Sequence, residues 1–213
     1  MSGACQYLHD ALSRMSRLKF KDLEKIPANG VYVLFENGET AHGGERIVRI
    51  GTHRGQNNLA KRIREHLYTP NKDRSIFRKH VGRCLLTKAH DPFIDQWEID
   101  LTTKKSRELN AHKVDKKKLQ KIESEVSAYM NDNFSFAIMR FEKRSERFHV
   151  ERSLLSTVSQ CSGCGPTEHW LGKYHPNSVI RESGLWNIQG LDSLPSTLDE
   201  VCQIVQAGTI EGI

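Results

Sequence analysis

The chain begins with a pattern of apolar and polar positions that predicts one helix followed by a β-hairpin. Apolar residues recur at helical spacing over residues 8–19, which indicates an amphipathic helix. β-Branched and aromatic residues then fill 30–35, and a second apolar run follows at 46–50, so each is typical of a short strand. The polar, glycine-containing stretch 37–45 between them predicts an antiparallel hairpin with a long loop.

Helices dominate the elements predicted beyond the hairpin. Asn57 or Asn58 can cap a helix that runs to Leu67, and Ser75 can cap a second helix through Leu86. The spacing of apolar residues in the rest of the chain predicts helices over 119–130, 146–160 and 198–206 and strands over 93–99 and 134–141.

Length and composition indicate a single globular domain with an anionic partner. The 213 residues are enough to bury a sound core, and 37% hydrophobic with 27% charged residues is typical of a folded, soluble chain. A net charge of +6 and a pI near 9.1 favour an anionic partner, of which nucleic acid is the commonest. This balance is not specific alone, because many basic proteins bind no nucleic acid.

The distribution of apolar residues and cysteines predicts a cytoplasmic protein. No stretch reaches the ~18 consecutive apolar residues of a membrane span. Residues 1–10 lack the basic and apolar regions of a signal peptide. The five cysteines are odd in number and unevenly spread, which favours reduced thiols over a disulfide framework.

Four short strings, taken in order, resemble the GIY-YIG nuclease family. Gly30-Val31-Tyr32 opens the first strand, Arg49-Ile50-Gly51 closes the second, and the basic string 59–66 follows at once. Leu185-Trp186-Asn187 is similar to the string that ends the catalytic core of restriction endonucleases in this family. Two departures are visible. Arginine stands where the family has its second tyrosine, and the spacer between the first two strings is longer than usual.

The resemblance implies an α+β fold in which helices flank a small core, an antiparallel three-stranded sheet. We assign the whole chain, 1–213, to one such domain. Its core would comprise residues 28–67 and 134–190. A helical insertion would occupy 68–133, and a C-terminal extension over 191–213 would carry the last helix.

The resemblance also implies a site for phosphodiester hydrolysis. Tyr32 would accept the proton of the attacking water, and His66 would orient Tyr32 or pass the proton on. Arg62, four residues before His66 on the same helix face, would bind the non-bridging phosphate oxygens. Glu151 would coordinate one divalent cation, Mg²⁺ or Mn²⁺. Asn187 would hydrogen-bond within the site and hold its parts in register.

Arg49 and three further basic residues complete the predicted site. An arginine stays protonated and cannot act as a neutral phenol, so Arg49 would supply positive charge near Tyr32. Lys61, Arg54 and Arg64 lie on or beside the same helix and would contact DNA. Plainer interpretations exist, because a tyrosine in a strand commonly packs in the core and basic residues on a helix are commonly solvated.

Two of these residues have a rival nearby in the sequence. Glu146 precedes Glu151 by little more than one helical turn and ranks second as the metal ligand. A single acidic residue near a helix start commonly complements the helix dipole, which is the plainer role of either. Asn177, beside Pro176, is the rival of Asn187.

A Cys-x-x-Cys string offers a zinc site outside the nuclease motifs. Cys161 and Cys164 have the spacing of a zinc-binding pair, and His169 and His175 follow close enough to supply two more ligands. The His-x5-His spacing is at the edge of the usual range, and no second Cys-x-x-Cys string exists. Packed, reduced cysteines are therefore the favoured interpretation.

Three functions are compatible with the sequence. The favoured one is a metal-dependent endonuclease of restriction or defence type that cuts double-stranded DNA, with two copies pairing as a homodimer. The second is a nucleic-acid-binding module on the same fold, in which Arg49 has replaced a tyrosine needed for cleavage. The third is an unrelated basic α+β protein stabilised by zinc at Cys161 and Cys164.

Overall fold

A three-stranded antiparallel sheet forms the centre of the molecule. The computed structural model describes residues 2–208. β1 spans Gly30–Ala41, β2 spans Gly44–Gly51 and β3 spans Phe134–Arg140, in the order β2-β1-β3. β1 pairs with β2 through the hairpin and with β3 on its other side, antiparallel in both cases. The predicted α+β fold class and sheet are confirmed.

Helices make up most of the remaining chain. In chain order they are α1 Ser2–Ser13, α2 Leu59–Leu67, α3 Ile76–Lys88, α4 Ile94–Glu98, α5 Lys104–Asn110, α6 Lys116–Asn133, α7 Arg144–Ser159, α8 Ser178–Ser183 and α9 Leu198–Gly208. Between α2 and β3 the chain forms the helices α3 to α6, a short 3₁₀ helix over Ala111–Lys113 and their connections. None of the helices found within residues 2–208 is long and apolar enough to cross a membrane.

The sheet separates two layers of helices because alternate residues of β1 face opposite sides. Tyr32 and Leu34 point into a core shared with α2, α3 and α6. Val31, Val33 and Phe35 point into a second core shared with α1, α7 and α9. A strand that is covered on both faces has to be apolar on both, which explains the unbroken apolar run at its start.

The hairpin is longer than the sequence predicted, and its turn is tighter. Only His42 and Gly43 separate β1 from β2, so the predicted loop over 37–45 is wrong for most of its length. Their φ angles of 53° and 77° are those of a two-residue hairpin turn. Asn37 and Gly38, which predicted a turn, lie within β1 where its register with β2 slips.

Two other predicted elements differ from the structure. The first helix runs over 2–13 rather than 8–19. The segment 93–99 forms α4 and not a strand. Phe93 and Trp97 stand four residues apart, one helical turn, and both are buried. Trp97 Nε1 donates a hydrogen bond of 3.0 Å to the carbonyl of Lys79, which holds α4 against α3.

The other predicted helices and the third strand are confirmed, with shifts of a few residues at their ends. Ser75 caps α3 as predicted, since its hydroxyl accepts a hydrogen bond of 3.2 Å from Arg78 N. Phe148 of α7 is 36% exposed. The predicted C-terminal extension includes α9, which the structure describes, and residues 209–213, which lie outside the described residues.

Candidate active site

A broad cleft of about 970 Å³ lies where β2 ends. Its walls come from the end of β2 and the loop after it, from α2, α3 and α7, and from the segment 186–190. Its charged side chains are Arg49, Arg54, Lys61, Arg62, Arg152, Glu65 and Glu151. Five cations face two carboxylates, so the cleft favours an anionic ligand.

Arg49 forms part of the cleft and is held from behind. Its side chain shares a sheet face with Tyr32, because Arg49 pairs with Leu34 across the hairpin. Its Nη1 donates a hydrogen bond of 2.5 Å to the carbonyl of Trp186, and its guanidinium lies 4.9 Å from the ring centroid of Phe77. Its Nε is buried and has no hydrogen-bond partner within residues 2–208. The guanidinium is thus fixed in place but retains a free donor.

The position of Trp186 depends on a buried carboxylate in β1. Trp186 Nε1 donates a hydrogen bond of 2.9 Å to Glu36, and Trp170 Nε1 donates one of 2.8 Å to the same oxygen. The Tyr129 hydroxyl donates to the other oxygen of Glu36. Burial raises the pKa of Glu36, and these three donors oppose that rise. Through Trp186, this network sets where Arg49 lies.

Tyr32 is buried beside the cleft and does not line it. It is 1% exposed and pairs across the hairpin with Gly51. A Cβ on Gly51 would overlap the Tyr32 hydroxyl, so the phenol can lie there only because residue 51 is a glycine. The Tyr32 ring centroid is 6.0 Å from that of His66, at an interplanar angle of 56°.

His66 is a buried, neutral imidazole. Its Nδ1 shares a hydrogen bond of 2.6 Å with the Ser75 hydroxyl, and its Nε2 has no partner among the described residues. Burial lowers the pKa of His66 well below its usual value, and the nearby Arg49, Arg62 and Arg78 lower it further. The ring is therefore uncharged at neutral pH and has one nitrogen without a partner.

Glu151 brings a carboxylate to the cleft from the opposite side of the sheet. Val150 and Leu154 of α7 are buried in the second core, which leaves Glu151 half-buried at the cleft. Burial raises its pKa, while Arg49 and Arg62 act in the opposite direction. Glu151 forms no ion pair within 4 Å in the part of the chain that is described. An unpaired, partly desolvated carboxylate beside water-accessible space suits a hard divalent cation.

The rival of Glu151 lies elsewhere on α7. Glu146, in the first turn, is exposed, and its carboxylate is 3.9 Å from the ammonium of Lys143. Glu146 does not line the cleft. The geometry therefore favours Glu151 over Glu146 as a metal ligand.

The predicted basic residues on α2 and in the loop before it separate into two groups. Arg62 lines the cleft, where its guanidinium is 3.8 Å from the carboxylate of Glu65. Lys61 and Arg54 also line it. Arg64 is exposed and is not part of the cleft, so the structure does not place it with the others.

Asn187 lines the cleft and closes the free edge of β2. Its Oδ1 accepts a hydrogen bond of 3.2 Å from Ile50 N, and its Nδ2 donates one of 2.9 Å to Ile50 O. The side-chain amide thus pairs with the strand as a neighbouring strand would. Its rival, Asn177, caps α8 by accepting a hydrogen bond of 2.9 Å from Val179 N.

Three histidines of the cleft were not singled out from the sequence. They are His53, His80 and His149. His53 is buried directly after β2, and burial lowers its pKa, with Arg147 acting in the same direction. Its position two residues after the Arg49-Ile50-Gly51 string was the available signal. His149 lies two residues before Glu151, a spacing that gave no signal.

The structure does not bring His169 or His175 to Cys161 and Cys164. His169 is exposed. His175 Nε2 instead lies 2.8 Å from His80 Nδ1, and burial is the main cause that lowers the pKa of His175 to about 4. Cys161 and Cys164 do lie together, but their neighbours come from other parts of the chain.

The chain is similar in sequence to one established family over nearly its whole length. A family model described as GIY-YIG domain matches residues 4–209. Domains of this type are generally nucleases that act on DNA with a divalent metal ion. Neither a curated protein nor a solved structure matches the chain.

Proposed function

We propose that this chain, which belongs to the GIY-YIG family, is a metal-dependent DNA endonuclease of restriction or defence type. One observation carries the proposal. Arg49, Arg62 and Glu151 come from three separate elements and meet at one cleft, with Tyr32 and His66 buried beside it. A phosphodiester requires this combination of cations, a carboxylate and proton acceptors.

The cations account for binding of the scissile phosphate. Arg62 is partly exposed on the wall of the cleft, where it can approach two non-bridging oxygens. Arg49 is held by Trp186 and presents a preorganised charge to the developing negative charge on phosphorus. In this role the arginine supplies electrostatic stabilisation where the family has a second tyrosine.

Glu151 is the residue that would hold the cation, Mg²⁺ or Mn²⁺. When bound, the cation would neutralise phosphate charge and favour ionisation of a water molecule. Burial raises the pKa of Glu151, and Arg49 and Arg62 oppose that rise because they favour the charged carboxylate.

Tyr32 and His66 account for the proton. In our proposal the Tyr32 hydroxyl takes a proton from the attacking water as it gives its own to His66 Nε2. The ring contact, the unpartnered Nε2 and the uncharged state of His66 support this route. The hydrogen bond to Ser75 keeps the imidazole in orientation.

The biological setting follows from the same features. One cleft per chain cuts one strand, so cleavage of double-stranded DNA implies a homodimer on the DNA. All five cysteines are unpaired, which supports action in a reducing cytoplasm. The helices α3 to α6 stand between α2 and β3, where we propose a helical insertion over 68–133 in a single-domain protein.

A DNA-binding module without cleavage is the second candidate. Tyr32 is buried and absent from the cleft lining, and Arg49 replaces a tyrosine. In this alternative, Arg54, Lys61 and Arg62 would bind phosphates and no bond would break.

Plasmid cleavage with Mg²⁺ separates the two candidates. Wild type should nick or cut the plasmid, while Tyr32→Phe, Arg62→Ala and Glu151→Ala should each lower the rate by about 100-fold or more. Arg64→Ala is the matched control for Arg62→Ala on the same helix, and Glu146→Ala is that for Glu151→Ala. Both controls should cleave within about two-fold of wild type.

Binding measurements complete the test. If wild type binds DNA but leaves it intact across several substrates and metals, the binding module is the correct function. If cleavage occurs, sequencing the ends left on genomic DNA gives the recognition site and the cut geometry, and tests the restriction or defence role.

A further inference from the structure

Four metal-ligating side chains meet at the tip of the hairpin, at the opposite end from the cleft. Cys5 of α1, His42 of the turn, and Cys161 and Cys164 after α7 have ligand atoms that all lie within 4.8 Å of one another. We propose that this Cys₃His cluster binds one structural Zn²⁺. We call these four residues the zinc cluster.

The spacing of the ligand atoms fits a tetrahedral zinc ion. Cys5 Sγ is 3.3 Å from Cys164 Sγ, and His42 Nε2 is 3.2 Å from Cys164 Sγ and 3.4 Å from Cys161 Sγ. Zn–S bonds of about 2.3 Å and Zn–N bonds of about 2.0 Å in a tetrahedron put ligand atoms roughly 3.5–3.8 Å apart. These three distances need to lengthen by only a few tenths of an ångström for the ligand atoms to accept the ion.

The turn of the hairpin is shaped to bring the imidazole to the thiols. His42 adopts a φ of 53°, which a non-glycine residue rarely takes without a compensating interaction. Gly163, between the two cysteines of the Cys-x-x-Cys string, lies against the ring, and a Cβ there would come within 3.0 Å of His42 Cε1. The backbone conformation of His42 and the absence of a side chain at Gly163 both allow the imidazole to lie next to the cysteines.

A hydrogen bond to Gln6 gives His42 the tautomer that a metal requires. Its Nδ1 lies 2.9 Å from Gln6 Oε1, and an amide oxygen can only accept, so Nδ1 donates. This leaves the lone pair on Nε2, the atom that faces Cys161 and Cys164. Metal-bound histidines are commonly oriented by such a bond from the other ring nitrogen. Gln6 is therefore a positioning residue for the site.

His9 lies nearby, but both of its ring nitrogens form hydrogen bonds with backbone atoms. Its Nδ1 is 2.9 Å from Cys5 O, and its Nε2 accepts a hydrogen bond of 3.3 Å from Ile47 N. Its Nε2 is 3.9 Å from Cys164 Sγ, which is farther than that of His42. We assign it to the surroundings of the site and not to the ligands.

The position of the zinc cluster gives it a structural role. It joins α1, the hairpin turn and the end of α7, all on the side of the second core. β2 begins at Gly44, next to the zinc cluster, and reaches Arg49 of the cleft five residues and about 17 Å later, so the two sites are separate. Four protein ligands leave no open position for water or substrate, which is typical of structural zinc.

Metal content of the purified chain tests the proposal. Protein produced with zinc in the medium should carry about one Zn²⁺ per chain by mass spectrometry of metals. Cys161→Ser and His42→Gln should lose it, while Cys202→Ser and His9→Gln should retain it. Glu151→Ala should also retain it, which separates this site from the catalytic one whether or not the chain cleaves DNA.

Two further measurements keep the outcome decisive if a variant fails to fold. Wild type reconstituted with Co²⁺ should show the visible bands of tetrahedral cobalt and a thiolate-to-metal charge-transfer band. Removal of zinc by a chelator should lower Tm by roughly 10 °C or more. Zinc-free wild type that folds to the same Tm in the presence and absence of added zinc would overturn the proposal. A disulfide among these cysteines, seen as a loss of two hydrogens in the intact mass, would also overturn it.

Discussion

Buried polar groups have hydrogen-bond partners in the middle of the hairpin but lack some of them at its open end, where β1 begins and β2 ends. In the middle, Glu36 accepts three hydrogen bonds, and Arg46 forms a buried ion pair of 2.5 Å with Glu39. At the open end, Arg49 and His66 each keep a buried nitrogen without a partner in the described chain. The first arrangement fixes the fold, and the second leaves groups available for a ligand.

The location of the unpartnered groups supports this distinction. Six buried side-chain nitrogen or oxygen atoms lack a partner within residues 2–208, and four of them belong to Arg49, His53 and His66. Native proteins leave few such atoms, because each costs about 1–3 kcal/mol. Their concentration at or beside one cleft leaves hydrogen-bonding groups available there for a ligand.

Removal of the central acceptor should have the largest effect. Glu36→Ala leaves the indole donors of Trp170 and Trp186 unsatisfied in the core, so we expect a loss of about 3–5 kcal/mol. Tm should fall by roughly 10–15 °C. The control is Glu45→Ala, which removes an ion pair with Arg17 that is half-exposed on the glutamate side and should cost less than about 1 kcal/mol. Equal losses in thermal melts would show that the network contributes no more than a surface pair.

A single methyl group at the open end should disrupt catalysis. Gly51→Ala places a Cβ where the Tyr32 hydroxyl lies, so the phenol has to move and cleavage should fall by about 100-fold. Gly44→Ala is the matched control at the other end of β2, because its Cβ would meet nothing within 4 Å. Plasmid cleavage rates of the two variants test this. An active Gly51→Ala variant would show that Tyr32 need not stay in place.

Local patterns in the sequence were enough to predict most of the fold. The strand at 30–35 and the cap at Ser75 depend on neighbouring residues, and both are confirmed. The segment 93–99 was assigned wrongly because its residues alternate and also place Phe93 and Trp97 one helical turn apart. Only the space against α3, where Trp97 is buried, decides between the two patterns.

The sites were less predictable because their residues are distant in the chain. Cys161 and Cys164 gave a zinc-binding spacing, but the partners predicted for them were the nearest histidines. The structure instead brings Cys5 and His42 to them, from more than a hundred residues away. α1 and α7 pack on the same face of the sheet, which brings Cys5, Cys161 and Cys164 to the turn of the hairpin, and no local spacing encodes this contact.

Stability in acid should report the buried, uncharged state of His66. In the unfolded chain a histidine titrates near pH 6.5, and burial lowers the pKa in the folded state. Below pH 6.5 the unfolded state therefore binds more protons, so stability is lost as the pH falls. Between pH 7.5 and 5.5 His66 should account for about 1.4 kcal/mol of that loss, and His66→Gln should remove this part.

Urea unfolding at the two pH values measures this effect. His80 and His175, whose pKa values burial lowers to about 2 and about 4, should maintain a residual loss in the variant. Exposed His112→Gln is the control and should leave the wild-type loss unchanged. A His66→Gln protein with the full wild-type loss would contradict the buried neutral imidazole.

An effect of similar size is expected at the edge of β2. Asn187→Ala removes both hydrogen bonds to Ile50 and exposes that part of the strand to water, which should cost about 1–2 kcal/mol. Asn177→Ala removes the N-cap of α8, which should cost a similar free energy of about 1 kcal/mol. The hydrogen bond that it removes joins Asn177 to Val179 and does not involve β2. If Asn187 keeps Arg49 and Glu151 in register, Asn187→Ala should reduce kcat more than it raises KM, and Asn177→Ala should change neither. Equal kinetic effects from the two variants would show that Asn187 only stabilises the fold. The kinetic comparison is needed because both variants are expected to lose stability.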